Sequence, residues 1–201
     1  MHTDVLLLLA IGGDGNDERL LRLGATLVDF TESQPGCLIE PLINAEAAAL
    51  TDKTPGALSA ARSRGLAPPG YLQIGKVGRY YQSRHMILSW LAGEMRRDSK
   101  AWRSYRSENL RALVAAYPFA QETQDQMVAR LAKQAPRYFD EPLSATAAAK
   151  VFSKNPDALG SALWRDNGLK ALRGTGEKWP NRRTILDWIA GYYQTEQKEA
   201  A

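Results

Sequence analysis

The chain has 201 residues, 44% of them hydrophobic and 24% charged, which allows one large globular domain or two small ones. One cysteine, Cys37, excludes an internal disulfide framework and fits a reducing compartment. The apolar run at residues 5–10 is too short to span a bilayer, and an acidic residue precedes it, which is atypical of a signal peptide. The sequence therefore predicts a cytoplasmic protein with no membrane partner.

The net charge of +4 is unevenly distributed along the chain. Residues 1–39 carry a net −4, whereas residues 40–95, 96–140 and 141–193 carry +2, +4 and +3, and the tail at 194–201 carries −1. A phosphate backbone is a natural partner for a basic surface of this kind. A solvated basic face is the alternative, and charge alone does not decide between them.

Residues 1–39 show no complete catalytic or ligand-binding motif. The run Gly12-Gly13-Asp14-Gly15 has the glycines of a nucleotide-binding turn, but Glu18 stands where the third glycine belongs. Arg19 replaces the glycine that a calcium loop needs, and two histidines with one cysteine form no zinc set. We expect neither an enzyme nor a cofactor or metal site, and we interpret residues 1–39 as a packing or dimerisation segment.

The chain contains an internal repeat. Residues 40–64 align without a gap on residues 141–165 at an offset of 101, and 11 of the 25 positions are identical. Unrelated sequences would share about one to three of these positions. The correspondence resumes at residues 87–93 and 185–191, after a length change in a Gly/Pro-rich stretch. One unit of about 50 residues is therefore present twice.

In each copy the sequence predicts two short helices, then a hairpin, then a longer helix. Asn44 or Ser144 is placed to cap the first helix, and Thr54 or Asn155, each followed by proline, caps the second. Gly65 or Gly168 ends the second helix. Two apolar runs around a Gly-containing turn then predict a hairpin, residues 71–74 with 79–81 and residues 169–172 with 178–179. Ser83 or Asn181 caps the last helix.

In the connector, residues 96–140, the sequence predicts two helices. Arg96, Lys100, Arg103 and Arg106 form one basic stripe on the first, which ends near Pro118. The second lies near residues 123–134 and carries Met127, Val128 and Leu131. The stripe fits either a DNA contact or a plain solvated face.

The first copy resembles the small MerR-like/excisionase (AlpA-type) DNA-binding domains. The resemblance depends on Thr54-Pro55-Gly56-Ala57-Leu58, Pro68-Pro69-Gly70-Tyr71, Gly78-Arg79-Tyr80 and Ile87 with Trp90-Leu91. It implies a mainly α fold of two winged helix-turn-helix units with short hairpin wings, joined by a helical connector. It also implies sequence-specific binding of double-stranded DNA, by a transcriptional regulator or an excisionase-like recombination or architectural factor. The second copy lacks the double proline and has Glu177 where Arg79 stands.

The expected DNA contacts lie on the second helix, the wing and the start of the last helix of each copy, because Arg, Ser and Asn bond phosphates or base edges. In the first copy they are Thr54, Ser59, Arg62, Ser63, Arg64, Lys76, Arg79 and Arg84. In the second copy they are Asn155, Arg165, Arg173, Lys178, Arg182 and Arg183. In the second copy we expect Trp164 to lie in the core or in an interface rather than to contact DNA bases.

Three interpretations of the whole chain stay open. The first is the regulator or architectural factor, which would bind double-stranded DNA and also itself, as a dimer, or a recombinase. The second is a protein-interaction adaptor that kept the fold and lost affinity for DNA. The third is a plasmid or phage replication or segregation factor that binds repeated sites.

Overall fold

A computed structural model describes residues 28–29, 33–72, 80–97 and 108–199. These residues are mainly helical, with one two-stranded antiparallel sheet, so the predicted mainly α class is confirmed. No helix among them is both long and apolar enough to cross a bilayer.

The elements follow the chain in this order. Up to residue 97 they are α1 (Gly36–Ile39), α2 (Asn44–Leu50), α3 (Pro55–Ser63), β1 (Tyr71–Leu72), β2 (Tyr80–Tyr81) and α4 (Arg84–Arg97). From residue 108 they are α5 (Glu108–Ala116), α6 (Gln124–Gln134), α7 (Pro136–Asp140), α8 (Ala145–Val151), α9 (Pro156–Arg165), α10 (Asn167–Arg173) and α11 (Arg182–Glu199).

Side-chain caps begin the second helix of each copy, as predicted. The N–H of Ala57 donates to Thr54 Oγ1 at 3.2 Å, and the N–H of Ala158 donates to Asn155 Oδ1 at 2.7 Å. Each cap precedes a proline at the first helical position, where its missing N–H costs nothing. Ser144, Ser83 and Asn181 cap α8, α4 and α11 in the same manner.

The turn between the two short helices is the same in both copies. Asp52 and its counterpart Ser153 adopt positive φ angles of 53° and 51°. The following lysine N–H donates back to an alanine carbonyl, from Lys53 to Ala48 at 2.9 Å and from Lys154 to Ala149 at 2.8 Å. Non-glycine residues rarely adopt this conformation. Its recurrence at an offset of 101 supports duplication independently of residue identity.

The correspondence extends upstream of the segment that sequence identity reveals. The offset of 101 places α1 opposite α7, two short helices beside Pro35 and Pro136. Arg84 Nη1 donates to the carbonyl of Cys37 at 3.1 Å, and its counterpart Arg182 Nη1 donates to the carbonyl of Tyr138 at 2.9 Å. We therefore call residues 35–97 the first unit and residues 136–199 the second unit.

Both units contribute to one hydrophobic core. Leu58 and Leu159 occupy equivalent positions on α3 and α9, and both are buried, as are Ile87 and Ile185 on α4 and α11. The predicted helix near residues 123–134 is confirmed as α6, where Met127, Val128 and Leu131 are buried. The connector therefore packs as part of the core rather than spanning solvent between separate units.

The predicted hairpin of the second unit is wrong at its first strand. Residues 169–172 lie in helix α10, which begins because Asp166 Oδ1 accepts from the N–H of Leu169 at 3.1 Å. Leu169 and Leu172 are spaced three apart, which places them on one side of a helix. Gly168 lies inside this helix and does not end α9, whereas Gly174 ends α10 with a φ of 64°.

In the first unit the strands at the base of the predicted hairpin are present. Tyr71 pairs with Tyr81 and Leu72 with Tyr80. Residues 73–79, which include Lys76 and Arg79, lie outside the described residues. Residues 1–27 also lie outside the described residues, as do Lys100, Arg103 and Arg106 of the basic stripe. No side chain is described for Arg96, the first residue of that stripe.

Two further local predictions need correction. Helix α2 begins at Asn44, one residue early, so Ile43 and not Asn44 is the N-cap residue, and the Glu46 carboxylate accepts from the N–H of Ile43 at 3.1 Å. Helix α11 continues to Glu199 and so runs through most of the segment predicted as a flexible tail. Residues 194–199 contain no glycine or proline that would end it.

Candidate nucleic-acid interface

Helix α3 presents a solvent-facing surface of small residues. Leu58 and Ala61 are buried, as the predicted inward face requires. The exposed residues of the helix are Pro55, Gly56, Ala57, Ser59, Ala60 and Ser63, and exposed Arg64 follows. No side chain of that surface before Arg64 is larger than proline, so the helix backbone can approach a partner closely.

The polar groups on this surface are held by their own helix. Ser59 Oγ donates to the carbonyl of Pro55, and Ser63 Oγ donates to the carbonyl of Ala60, each at 3.0 Å. Arg64 Nε also donates to the carbonyl of Ala60 at 3.0 Å. That bond does not use the two terminal nitrogens, which make the bidentate contact of arginine with guanine. Thr54, Ser59, Ser63 and Arg64 therefore lie where the sequence predicts, on one exposed helix.

Arg62 is the clear departure from the predicted interface. Its Nη1 donates to Asn44 Oδ1 and its Nη2 to Gln82 Oε1, both at 2.6 Å. The buried Gln82 in turn donates through Nε2 to the carbonyl of Pro68 at 2.6 Å. Because both terminal nitrogens bond within the unit, Arg62 joins α2, α3 and the residues around the hairpin instead of facing a ligand. The sequence predicts Asn44 as a helix cap, not as a partner of Arg62, and does not distinguish Gln82.

Arg84 and Arg182 are also engaged within the protein, at the start of α4 and α11. Arg182 Nε donates to Glu40 Oε1 at 3.1 Å, and its guanidinium lies 3.9 Å from the centre of the Tyr138 ring. Glu40 Oε1 also accepts from the Tyr138 hydroxyl at 2.7 Å. Burial and the neighbouring Glu40 raise the pKa of Tyr138 above its usual range. Arg182 therefore joins the second unit to Glu40 of the first, whereas Arg84 bonds within its own unit and Arg183 is about half exposed.

Further polar contacts join the connector and the second unit to the first unit. Gln124 Nε2 donates to the carbonyl of Ile39 at 3.0 Å, and Ser83 Oγ donates to Gln124 Oε1 at 2.7 Å. The Ser153 hydroxyl donates to the carbonyl of Pro41. A Cβ at Gly36 would overlap the Tyr138 hydroxyl, so glycine permits the close approach of α7 to α1.

The contacts across this junction are not reciprocal. Glu40 of the first unit bonds Arg182 of the second, but its counterpart Glu141 is exposed. The counterpart of Arg182, Arg84, bonds a carbonyl of its own unit. A two-fold interface would pair both sets. The two units are therefore arranged head to tail.

The second unit carries a different outer surface. Trp164 replaces Ser63 on α9 and is 83% exposed, so a core role for it is wrong. Arg165, Lys170 and Lys178 are exposed, and Asn155 is an exposed cap. Arg173 donates through Nη2 to the carbonyl of Glu177 at 3.0 Å.

The buried His85 of the first unit forms hydrogen bonds with two residues of the connector. His85 Nε2 lies 3.0 Å from the carbonyl oxygen of Glu122, which can only accept, so Nε2 carries the proton. Nδ1 then accepts from the Tyr117 hydroxyl at 2.7 Å. Burial lowers the pKa of His85 and raises that of Tyr117. Burial likewise raises the pKa of the Cys37 thiol, although Arg84 opposes this, which argues against a reactive cysteine.

Comparison of the chain with family models, with curated proteins and with solved structures found no match. Within the described ranges, no group of three or more His, Cys, Asp or Glu residues is placed to hold a metal ion. The candidate interface consists of the outer surfaces of α3 and α9, in two units that share one hydrophobic core.

Proposed function

We propose that the protein binds double-stranded DNA sequence-specifically through two winged helix-turn-helix units, as a transcriptional regulator or an excisionase-like architectural factor. The observation that carries the proposal is the exposed surface of α3, whose small and hydroxyl-bearing residues lead to Arg64. Helix α2, the turn at Asp52 and helix α3 are the helix-turn-helix of the first unit, and the strands β1 and β2 are the base of its wing.

The chemistry of α3 fits a major groove. A groove of about 12 Å admits a helix, and small side chains let the backbone approach base edges. Arg64 is the candidate for a bidentate bond to guanine, and Ser59 and Ser63 are candidates for bonds to bases or phosphates. Thr54, at the start of α3, accepts from Ala57 and still has a hydroxyl proton to donate to a phosphate.

The junction between units supports a defined arrangement of half-sites. The Glu40–Arg182 pair and the Ser153–Pro41 hydrogen bond join one unit to the other. Two recognition helices that pack on one hydrophobic core suit half-sites about one helical turn apart, roughly 34 Å. Because the units are arranged head to tail, we expect direct rather than inverted repeats.

The test is the affinity of the Arg64→Ala variant for duplex DNA selected by the wild-type protein. Loss of a bidentate contact should weaken binding by about 1–3 kcal/mol and relax specificity at one base pair. Arg137→Ala, which removes an exposed arginine from α7, is the matched control and should bind as the wild type does. Equal affinity of all three proteins would contradict the role of α3.

A second candidate function is the protein-interaction adaptor. It is favoured by the second unit, where α10 replaces the predicted strand and Trp164 is exposed. In that case the Arg64→Ala variant and the wild type would show the same weak retention on DNA, and a protein partner would bind α9.

A further inference from the structure

Trp164 is the most exposed of the large hydrophobic side chains that the structure describes, at 83%. Tryptophan usually buries most of its surface, so an exposed one leaves a large aromatic face available to a partner. It lies in the last turn of α9, where the first unit has Ser63. The two units therefore differ most at the equivalent point of the proposed recognition helix.

The helix leaves the ring of Trp164 uncovered. The residue one turn before it on the same side is Gly160, and a Cβ built there would meet no atom within 4 Å. The preceding Leu163 is half-buried and packs against the core, so it does not extend an apolar patch around the ring. Neither residue therefore covers the indole ring, which stays exposed.

The exposed charged residues in the six positions that follow Trp164 in the sequence are cations. Arg165 and Lys170 are exposed within six residues of it. The acid in this stretch, Asp166, uses its Oδ1 atom to cap α10. A basic stretch of this kind complements phosphate.

These features favour a nucleobase over a protein as the partner. The core of a protein interface gathers several apolar side chains in contact, with tryptophan and arginine among them. Here one aromatic side chain stands alone beside cations, which is the arrangement of sites where a base stacks on an aromatic ring and the backbone follows basic residues. Base faces are covered in a duplex, so the partner must have unpaired bases.

We propose that Trp164, with Arg165 and Lys170, forms a stacking site for an unpaired base of single-stranded DNA. The proposal rests on the proposed function only in taking nucleic acid as the ligand. It adds a task to the second unit: beside the duplex contacts of α3 and α9, Trp164 holds an unpaired base where a strand has been opened. Arg165 and Lys170 neutralise the phosphates on either side of the stacked base.

The experiment measures binding of the full chain to an oligodeoxythymidine about 16 nucleotides long, the upper end of known single-strand site sizes. The Trp164→Ala variant should bind it about 5- to 100-fold more weakly, because one stacked base is lost. Trp164→Phe keeps an aromatic face and should restore most of the affinity. Leu66→Ala removes another exposed hydrophobic side chain, 62% exposed in the first unit, and should bind as the wild type does.

A duplex arm separates this proposal from the proposed function. Arg64→Ala should lose affinity for duplex and keep it for oligodeoxythymidine, and Trp164→Ala should do the reverse. Wild-type binding of oligodeoxythymidine by Trp164→Ala would overturn the stacking site, as would capture of a protein partner through Trp164 without any single-strand affinity. If the chain binds oligodeoxythymidine but not duplex DNA, only the role of α3 is contradicted.

Discussion

The first and second units have the same internal frame and different outer surfaces. Both units cap the second helix with a polar residue before proline, bend at a residue of positive φ and bury a leucine at the same position. The surfaces differ at Ser63 and Trp164, and at the strand that α10 replaces. The difference teaches that packing constrained the buried positions after duplication, while the exposed helix surface was free to acquire another partner.

The internal bonding of the two units also differs at one position of the second helix. The first unit has Arg62, which bonds Asn44 and Gln82, and the second has the half-buried Leu163. A charged hydrogen-bond network in one copy thus corresponds to apolar packing in the other. This pair offers the strongest test of how each unit is stabilised.

Arg62→Ala should have the largest effect on stability. It leaves the oxygens of Asn44 and Gln82 without their charged donor, and we expect a loss of about 2–3 kcal/mol in the free energy of unfolding. Urea denaturation measures it. Leu163→Ala, at the equivalent position, is the control and should cost about 1 kcal/mol, since the side chain is only partly buried. An Arg62→Ala variant as stable as the wild type would show that the network does not hold the first unit together.

Glu40→Ala and Glu141→Ala test the head-to-tail junction, because the two residues are identical in sequence and different in environment. Glu40 accepts from Arg182 and Tyr138, and its removal should cost about 1–2 kcal/mol. Glu141 is exposed, and its removal should change stability by less than about 0.5 kcal/mol. Thermal unfolding of the two variants in parallel gives the comparison. Equal losses would indicate a reciprocal, two-fold arrangement of the units.

His85 has no counterpart of the same type, since Arg183 stands at that position on α11. Because burial lowers the folded-state pKa of His85, the unfolded chain binds a proton first as the pH falls below about 6.5. Stability should therefore be retained above that pH and decline below it, by at most about 1.4 kcal/mol per pH unit. His85→Gln, which keeps a donor and an acceptor without titrating, should flatten this decline. An unchanged pH profile in the variant would assign the decline to other groups.

The sequence predicts the features that depend on neighbouring residues. Thr54, Asn155 and Ser144 cap helices because their oxygens reach N–H groups three residues ahead, and Leu58 is buried because helical periodicity places it inward. Such rules act within one or two turns, so a single sequence is enough to apply them.

Other features depend on residues far apart in the chain, and these were mispredicted. Arg62 turns inward because Gln82 lies beside it, 20 residues away in sequence. Short apolar runs such as residues 169–172 fit a strand or a helix equally well by periodicity. Here Asp166 favours the helix, because its Oδ1 accepts from the N–H of Leu169 in the first helical turn. Glu40 and Glu141 look alike in sequence, and only the packing of the units distinguishes them.

The central claim, that duplex DNA is the ligand, is tested most directly by measuring the affinity of the wild-type chain for duplex DNA over a series of salt concentrations. If both units engage the duplex, the logarithm of the association constant should fall steeply with the logarithm of salt, with about 6–10 phosphates neutralised. An affinity that barely changes with salt, or no retention on DNA at low salt, would contradict the account.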